Sequence, residues 1–199
     1  MAGDDWMSEF GNGVCFRKDD YGSFPRRLLA TIVDVFVLVV CFVGVVSVWD
    51  VIYEGQSGRS DGSDIKVLLV VMLVLTWFYL GILKASSVRT VGYRLAGLRI
   101  VTLKGRRVPW YQMTYRLLIW VCGPFNFVFD ACWLFADEAR QSFRDCYAGT
   151  LVVRNDAVPE AEAPIQLTRY GAMGFNLVYK RAVRPSDPQI AATAEKDVK

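Results

Sequence analysis

The chain of 199 residues contains no histidine. That removes the side chain best suited to general base work near neutral pH, and with it serine–histidine and cysteine–histidine nucleophiles and most zinc-binding sets. Cysteine is sparse and unpatterned: Cys15, Cys41, Cys122, Cys132 and Cys146 include no CxxC pair, and their number is odd. A complete disulfide framework is therefore not expected, and the five read as buried apolar thiols. No cleavable leader is expected either, because Asp4, Asp5, Glu9, Asp19 and Asp20 precede Arg26 and no apolar core does. The same acids argue against a mitochondrial transit peptide. Gly92, Gly97 and Gly105 lack the following Lys-Ser/Thr of a phosphate loop, and no carboxylates stand paired at close spacing. These absences predict a protein that is not an enzyme and that has no metal site and no cofactor.

What is abundant is apolar sequence, 53% of the residues with a mean hydropathy of +0.27. Leu28–Trp49 is an apolar run interrupted by Thr31, Asp34, Gly44 and Ser47. About 20 helical residues cross a hydrocarbon core, so this run is long enough to span. Arg26 and Arg27 precede it, and Trp49 and Tyr53 close it, as interfacial residues do. A polar, acidic stretch, Asp50–Asp64, leads to a second span, Val67–Leu83, which carries no charged residue. Residues Lys84–Arg116 then hold Lys84, Arg89, Arg94, Arg99, Lys104, Arg106, Arg107 and Arg116 without a single acid. Such a bias marks the cytoplasmic side, which predicts a cytoplasmic amino terminus in a multi-pass protein of the cell (plasma) membrane. The same charges predict attraction to anionic lipid headgroups and not to nucleic acid.

Within the basic loop Leu98–Leu103 has strand character, Lys104-Gly105 is a turn signal, and Arg106–Val108 is a candidate return strand ended by Pro109. Leu117–Ala136 is a third apolar segment broken by Gly123-Pro124. It reads either as one kinked span or as a re-entrant hairpin. The strand-like Thr150–Val153 favours the hairpin, because pairing with Leu98–Leu103 requires both on one face of the membrane. The expected fold is thus mainly α and integral to the membrane: two transmembrane helices, a broken third apolar segment, and a small cytoplasmic β element. Its divisions are a cytoplasmic tail over residues 1–23, a membrane domain over 24–154, and a linker, possible hairpin and polar tail over 155–199. In the last of these, Gln166–Tyr170 and Phe175–Tyr179 flank Gly171-Ala-Met-Gly174.

Two carboxylates sit inside apolar segments. Asp34 is alone between Leu28 and Trp49, and a charge there costs roughly 2.5–3.5 kcal/mol on insertion scales, so it needs a partner. Arg27, Thr31 and Asp34 share one helix face. Asp34 reads as a proton- or cation-binding group, or as half of an internal ion pair with Arg27, Lys84 or Arg116. Asp130 is one turn from Asn126, beside the Gly123-Pro124 break. The pair forms a candidate intramembrane polar pocket of the kind broken helices create, or Asp130 simply reaches water.

The stretch Phe24-Pro-Arg-Arg-Leu-Leu-Ala-Thr-Ile-Val-Asp34 resembles the opening of the RDD family of membrane proteins, named for one arginine and two aspartates; the matching positions are Arg27 and Asp34. Arg89-Thr-Val-Gly-Tyr-Arg-Leu-Ala-Gly-Leu-Arg-Ile-Val101 is similar to its threonine–glycine–arginine stretch, and Arg140–Val153 to its closing motif, with Asp145 at the second aspartate. The family often has histidine where Arg144 stands and tryptophan where Pro25 stands. The resemblance implies the membrane fold, and it implies a transport role suggested for some members, including cation–proton exchange. Two functions follow as expectations: small-ligand or cation/proton transport by an oligomer, since two spans cannot enclose a pore alone, or a non-catalytic accessory or assembly subunit of a membrane complex. Both call for self-association or a membrane partner protein.

Overall fold

The computed structural model describes residues 11–54, 62–121, 130, 140–172 and 175–183. Two long helices dominate it. Helix α1 is Phe24–Glu54, with Pro25 at its first turn, where a missing N–H costs nothing. Helix α2 is Gly62–Trp77 and continues as a π-helical turn over Phe78–Leu83. Phe24–Ile52 and Ile65–Leu83 are long and apolar enough to cross a membrane. Only 11% and 6% of their most apolar windows are buried in the chain, which separates them from the core helices of a soluble protein. Ile32, Phe36, Val39 and Val43 form an exposed apolar stripe on α1.

Among the described residues three shorter helices follow: α3, Val91–Leu95; α4, Trp110–Val121; and α5, Phe143–Ala148. The last ends on Gly149 in the left-handed conformation, φ 61°, which a glycine adopts without steric cost.

The β content exceeds the small element expected. Strands β1 (Asn12–Cys15), β4 (Ala161–Ala172) and β5 (Phe175–Ala182) make one antiparallel sheet in the order β1-β4-β5. Strands β2 (Leu98–Thr102) and β3 (Thr150–Arg154) make an antiparallel ribbon with Leu98 opposite Arg154 and Thr102 opposite Thr150. The 1–23 tail is corrected accordingly: residues 12–15 form β1, and the Val14 N–H donates to the Leu103 carbonyl at 2.8 Å. The 155–199 linker is shortened, because Ala161–Pro164 already pairs with β1. The return strand at Arg106–Val108 reduces to one bridge between Val101 and Arg107, after a turn at Gly105, φ 72°. Of the third apolar segment, residues 117–121 belong to α4 and Asp130 is described; the Gly123-Pro124 break lies outside the described residues.

Alternation along the β2–β3 ribbon organises the interior. One face carries Val101, Leu103, Leu151 and Val153, packed with Phe16, Tyr21 and Ile165. The other carries Leu98, Ile100 and Val152, packed with Ala30 of α1, Tyr93 of α3 and Met113 of α4. Period-2 side-chain placement therefore gives the ribbon one face toward the β1-β4-β5 sheet and one toward the helices. Two of the described cysteines, Cys15 and Cys146, are buried; Cys41 is exposed on α1, and so departs from the buried set expected. Cys122 and Cys132 lie outside the described residues.

Helix α3 approaches α1 through a residue without a side chain. A Cβ on Gly92 would stand 2.1 Å from the Ala30 carbonyl oxygen and 2.7 Å from Asp34 Oδ1. Backbone cannot yield that distance, so Gly92→Ala is expected to cost at least the upper part of the about 1–3 kcal/mol typical of overpacking. Its melting temperature in detergent should fall well below the wild type's, while Gly97→Ala serves as a comparison: its Cβ meets nothing within 4 Å, and its strain comes only from a φ of 65°.

Candidate functional site

Four described basic residues of the membrane domain, Arg27, Lys84, Arg116 and Arg144, pair with three carboxylates. Asp145 is the most enclosed, with no side-chain exposure. It sits in the first turn of α5, where its Oδ2 accepts the Ser142 N–H at 3.2 Å. Arg27 Nη1 reaches the same oxygen at 2.6 Å, and Arg116 Nη2 lies 2.5 Å from Oδ1. Thr150 Oγ1 adds a contact at 3.4 Å. Arg27 is used completely: its Nε donates to the Gly22 carbonyl at 2.9 Å and its Nη2 to the Arg140 carbonyl at 2.6 Å. Arg116 Nη1 also donates to Thr150 Oγ1 at 3.3 Å. Burial alone would raise the Asp145 carboxyl, but the guanidinium groups of Arg116 and Arg27 outweigh it and hold it well below the usual carboxylate range.

Asp34 has a different set. Its Oδ1 accepts the Gly92 N–H at 2.8 Å and the Tyr79 hydroxyl at 3.1 Å, and its Oδ2 accepts the Thr90 hydroxyl at 2.9 Å. Lys84 Nζ lies 3.7 Å from Oδ2 and 4.2 Å from the centre of the Tyr93 ring. The π turn of α2 contributes Tyr79, whose oxygen in turn accepts the Val91 N–H at 3.2 Å. Asp130 is the third carboxylate, also buried. Its Oδ2 is 2.8 Å from Arg144 Nε, and its Oδ1 accepts the Arg144 N–H at 3.2 Å.

Several expectations change. Arg27 and Asp34 share a helix but not an interaction; Arg27 turns to Asp145, 118 residues away. Of the three donors considered for Asp34, Lys84 is the one present, and Arg116 goes to Asp145. The backbone donor to Asp145 is Ser142, three residues ahead of it in the chain. Asp130 is mostly buried and paired with Arg144; its expected neighbour Asn126 lies outside the described residues. Tyr79, Thr90 and Gly92 were not singled out in the sequence as partners of Asp34, and only the threonine–glycine spacing hinted at them. The basic loop is partly internal too. Arg89 donates to Asn155 Oδ1 at 2.8 Å and Arg99 to the Ala157 carbonyl at 2.6 Å, whereas Arg94, Lys104, Arg106 and Arg107 are exposed, the last of them donating to the equally exposed Ser87.

Beside Asp34 lies a half-enclosed cavity of about 60 Å³. Its walls come from α1 (Thr31, Asp34, Val35, Leu38), from the end of α2 (Leu80, Lys84), from α4 (Met113, Arg116, Leu117), and from Arg144 of α5. Among the described residues no group of three or more metal-binding side chains occurs.

The two apolar helices with their buried charges define a membrane protein. Residues 21–149, well over half the chain, match the RDD family, and the chain belongs to it. No curated protein and no solved structure matches the chain.

Removing one member of a buried ion pair strands the others, at a cost of about 3–5 kcal/mol. Asp145→Asn should therefore sharply lower the melting temperature and the yield of monodisperse protein. Arg27→Lys should not rescue an Arg27 deletion of charge, because a lysine cannot reach Gly22, Arg140 and Asp145 together. The pH dependence follows from the depressed carboxyl: its stabilisation is complete above the unfolded value of about 3.9 and is lost as pH falls through the lower folded value. Melting scans should show this contribution unchanged from pH 7 to 5 and declining only below about pH 4.

Proposed function

We propose that this protein is a non-catalytic accessory module of the cell membrane, which holds a cytoplasmic β element against the inner leaflet for a membrane partner or a second copy to dock on. The use made of its carboxylates supports this most. Asp34 takes three hydrogen bonds and a lysine, one of them from backbone, and Asp145 takes two arginines. A group that carries ions must exchange partners during each cycle. Here each exchange would uncouple α1 from α3 or from α5, so the carboxylates suit a fixed framework better than a transport path. The absence of histidine and of a phosphate loop in the sequence is in keeping with a protein that is not an enzyme, and Arg89 and Arg99 of the basic loop are spent on contacts within the chain.

The β2–β3 pairing supports a topology with the amino terminus, the basic loop and both sheets on the cytoplasmic face, and with the third apolar segment entering the membrane and returning. Tyr21, just ahead of α1, bridges Val153 and fits the same arrangement. So does α4, whose exposed Trp110, Tyr111, Tyr115 and Leu118 suit a helix lying in the interface. A second reading, cation or proton transport by an oligomer, draws on the cavity that Asp34 lines.

Flux through liposomes separates the two. The purified protein should carry neither protons nor sodium; a wild-type flux that Asp34→Asn or Lys84→Gln removes at unchanged folding would overturn the accessory reading in favour of transport. Topology is read separately with Val158→Cys, at a position 72% exposed. It should react with a membrane-impermeant thiol reagent in inverted vesicles and stay unlabelled in intact cells.

A further inference from the structure

We infer that the cavity beside Asp34 holds the phosphate group of one anionic phospholipid of the cytoplasmic leaflet. Charge is the first reason. Four cations, Arg27, Lys84, Arg116 and Arg144, are tied by ion pairs to three carboxylates, Asp34, Asp130 and Asp145, with side chains at most 26% exposed. Among the described residues this cluster keeps one positive charge in excess. A buried excess charge is expensive, and a phosphodiester brings one compensating negative charge. The cavity wall itself presents Lys84, Arg116 and Arg144 against Asp34 alone.

Geometry is the second reason. Arg144 Nε stands 2.8 Å from Asp130 Oδ2, yet its N–H has no acceptor in line among the described residues. Lys84 is only loosely held by Asp34, at 3.7 Å. Both have donor capacity to spare. The volume of about 60 Å³ admits about four waters, enough for one tetrahedral oxyanion.

Position is the third. Lys84 directly follows the spanning segment that ends at Leu83, so the cavity lies where headgroup and hydrocarbon meet. Leu38 of α1 and Leu117 of α4 give it apolar walls, and Val35, which also lines it, is about half exposed on α1, where an acyl chain can lie. The site recognises a phosphate oxyanion, and the apolar walls favour a lipid over a soluble phosphate as its source. This site stands whether the protein proves to be an accessory module or a transporter.

The full-length protein in detergent is titrated with phosphatidylglycerol, with phosphatidylcholine, and with inorganic phosphate alone, and bound lipid is counted by native mass spectrometry. One phosphatidylglycerol per chain should be retained in preference to phosphatidylcholine. Arg144→Gln should weaken it at least about fivefold, in line with one basic side chain at an anionic surface, and Arg144→Lys should largely restore it. Leu38→Trp fills the cavity without touching any charge and should weaken binding as much. Arg106→Gln, on the exposed loop, should leave it unchanged. Melting curves confirm that each variant is folded, and if Arg144→Gln does not fold, Leu38→Trp decides. Equal retention of the two lipids, an unaffected Leu38→Trp, or equal losses in Arg106→Gln and Arg144→Gln would overturn the site. Displacement by inorganic phosphate without any preference for phosphatidylglycerol would overturn the lipid as its occupant.

Discussion

A carboxylate with no exposed surface, clasped by two guanidinium groups, holds the domain together. Asp145 joins the start of α1 through Arg27 to the middle of α4 through Arg116, and its own helix caps into β3 through Gly149. None of these elements has a large apolar contact with all the others. The long helices leave most of their surface to lipid, where apolar association between helices has little driving force. Polar contacts then carry the joining that a hydrophobic core performs in a soluble domain. Leaving any one of the three charges alone in that setting is costly, so they form a unit.

Asp34 is a second fastening of a different kind. It is anchored by a backbone N–H, two hydroxyl groups and an ammonium, all supplied by the short stretch from Tyr79 to Gly92. That stretch runs from the π-helical turn at the end of α2 into α3. Gly92 lets the turn come within reach, because any side chain there would collide with the Ala30 carbonyl. The two aspartates thus divide the work: one fixes where α1 begins relative to the carboxyl-terminal half, and the other fixes how α2 exits beside it.

Much of this was legible in the residues. Both long helices follow from apolar length, despite the polar residues that interrupt the first, and the β2–β3 pairing from β-branched runs on either side of the third apolar segment. The strands β4 and β5 extend the two flanks read around Gly171–Gly174. The identities of the ion-pair partners were not legible, for a physical reason. Helical spacing brings Arg27 toward Asp34, and local periodicity contains no information about a residue 118 positions away. Donors such as the Gly92 N–H and the Tyr79 hydroxyl leave no charge pattern to notice. Strand β1 was hidden because four residues, Asn12-Gly-Val-Cys15, are too short and too glycine-rich to register against acidic surroundings.

The separation of Arg27 from Asp145 has a consequence for the order of assembly. During synthesis α1 emerges first and α5 more than a hundred residues later. Until α5 arrives, Arg27 has no carboxylate to meet, and the first helix sits in the bilayer with its orientation set only by its ends. The last of the membrane-domain segments therefore locks the first. Closing so long a loop is slow relative to local helix formation, and it makes the chain a poor candidate for piecewise maturation: a ribosome stalled before Asp145 would leave Arg27 without its carboxylate and no domain.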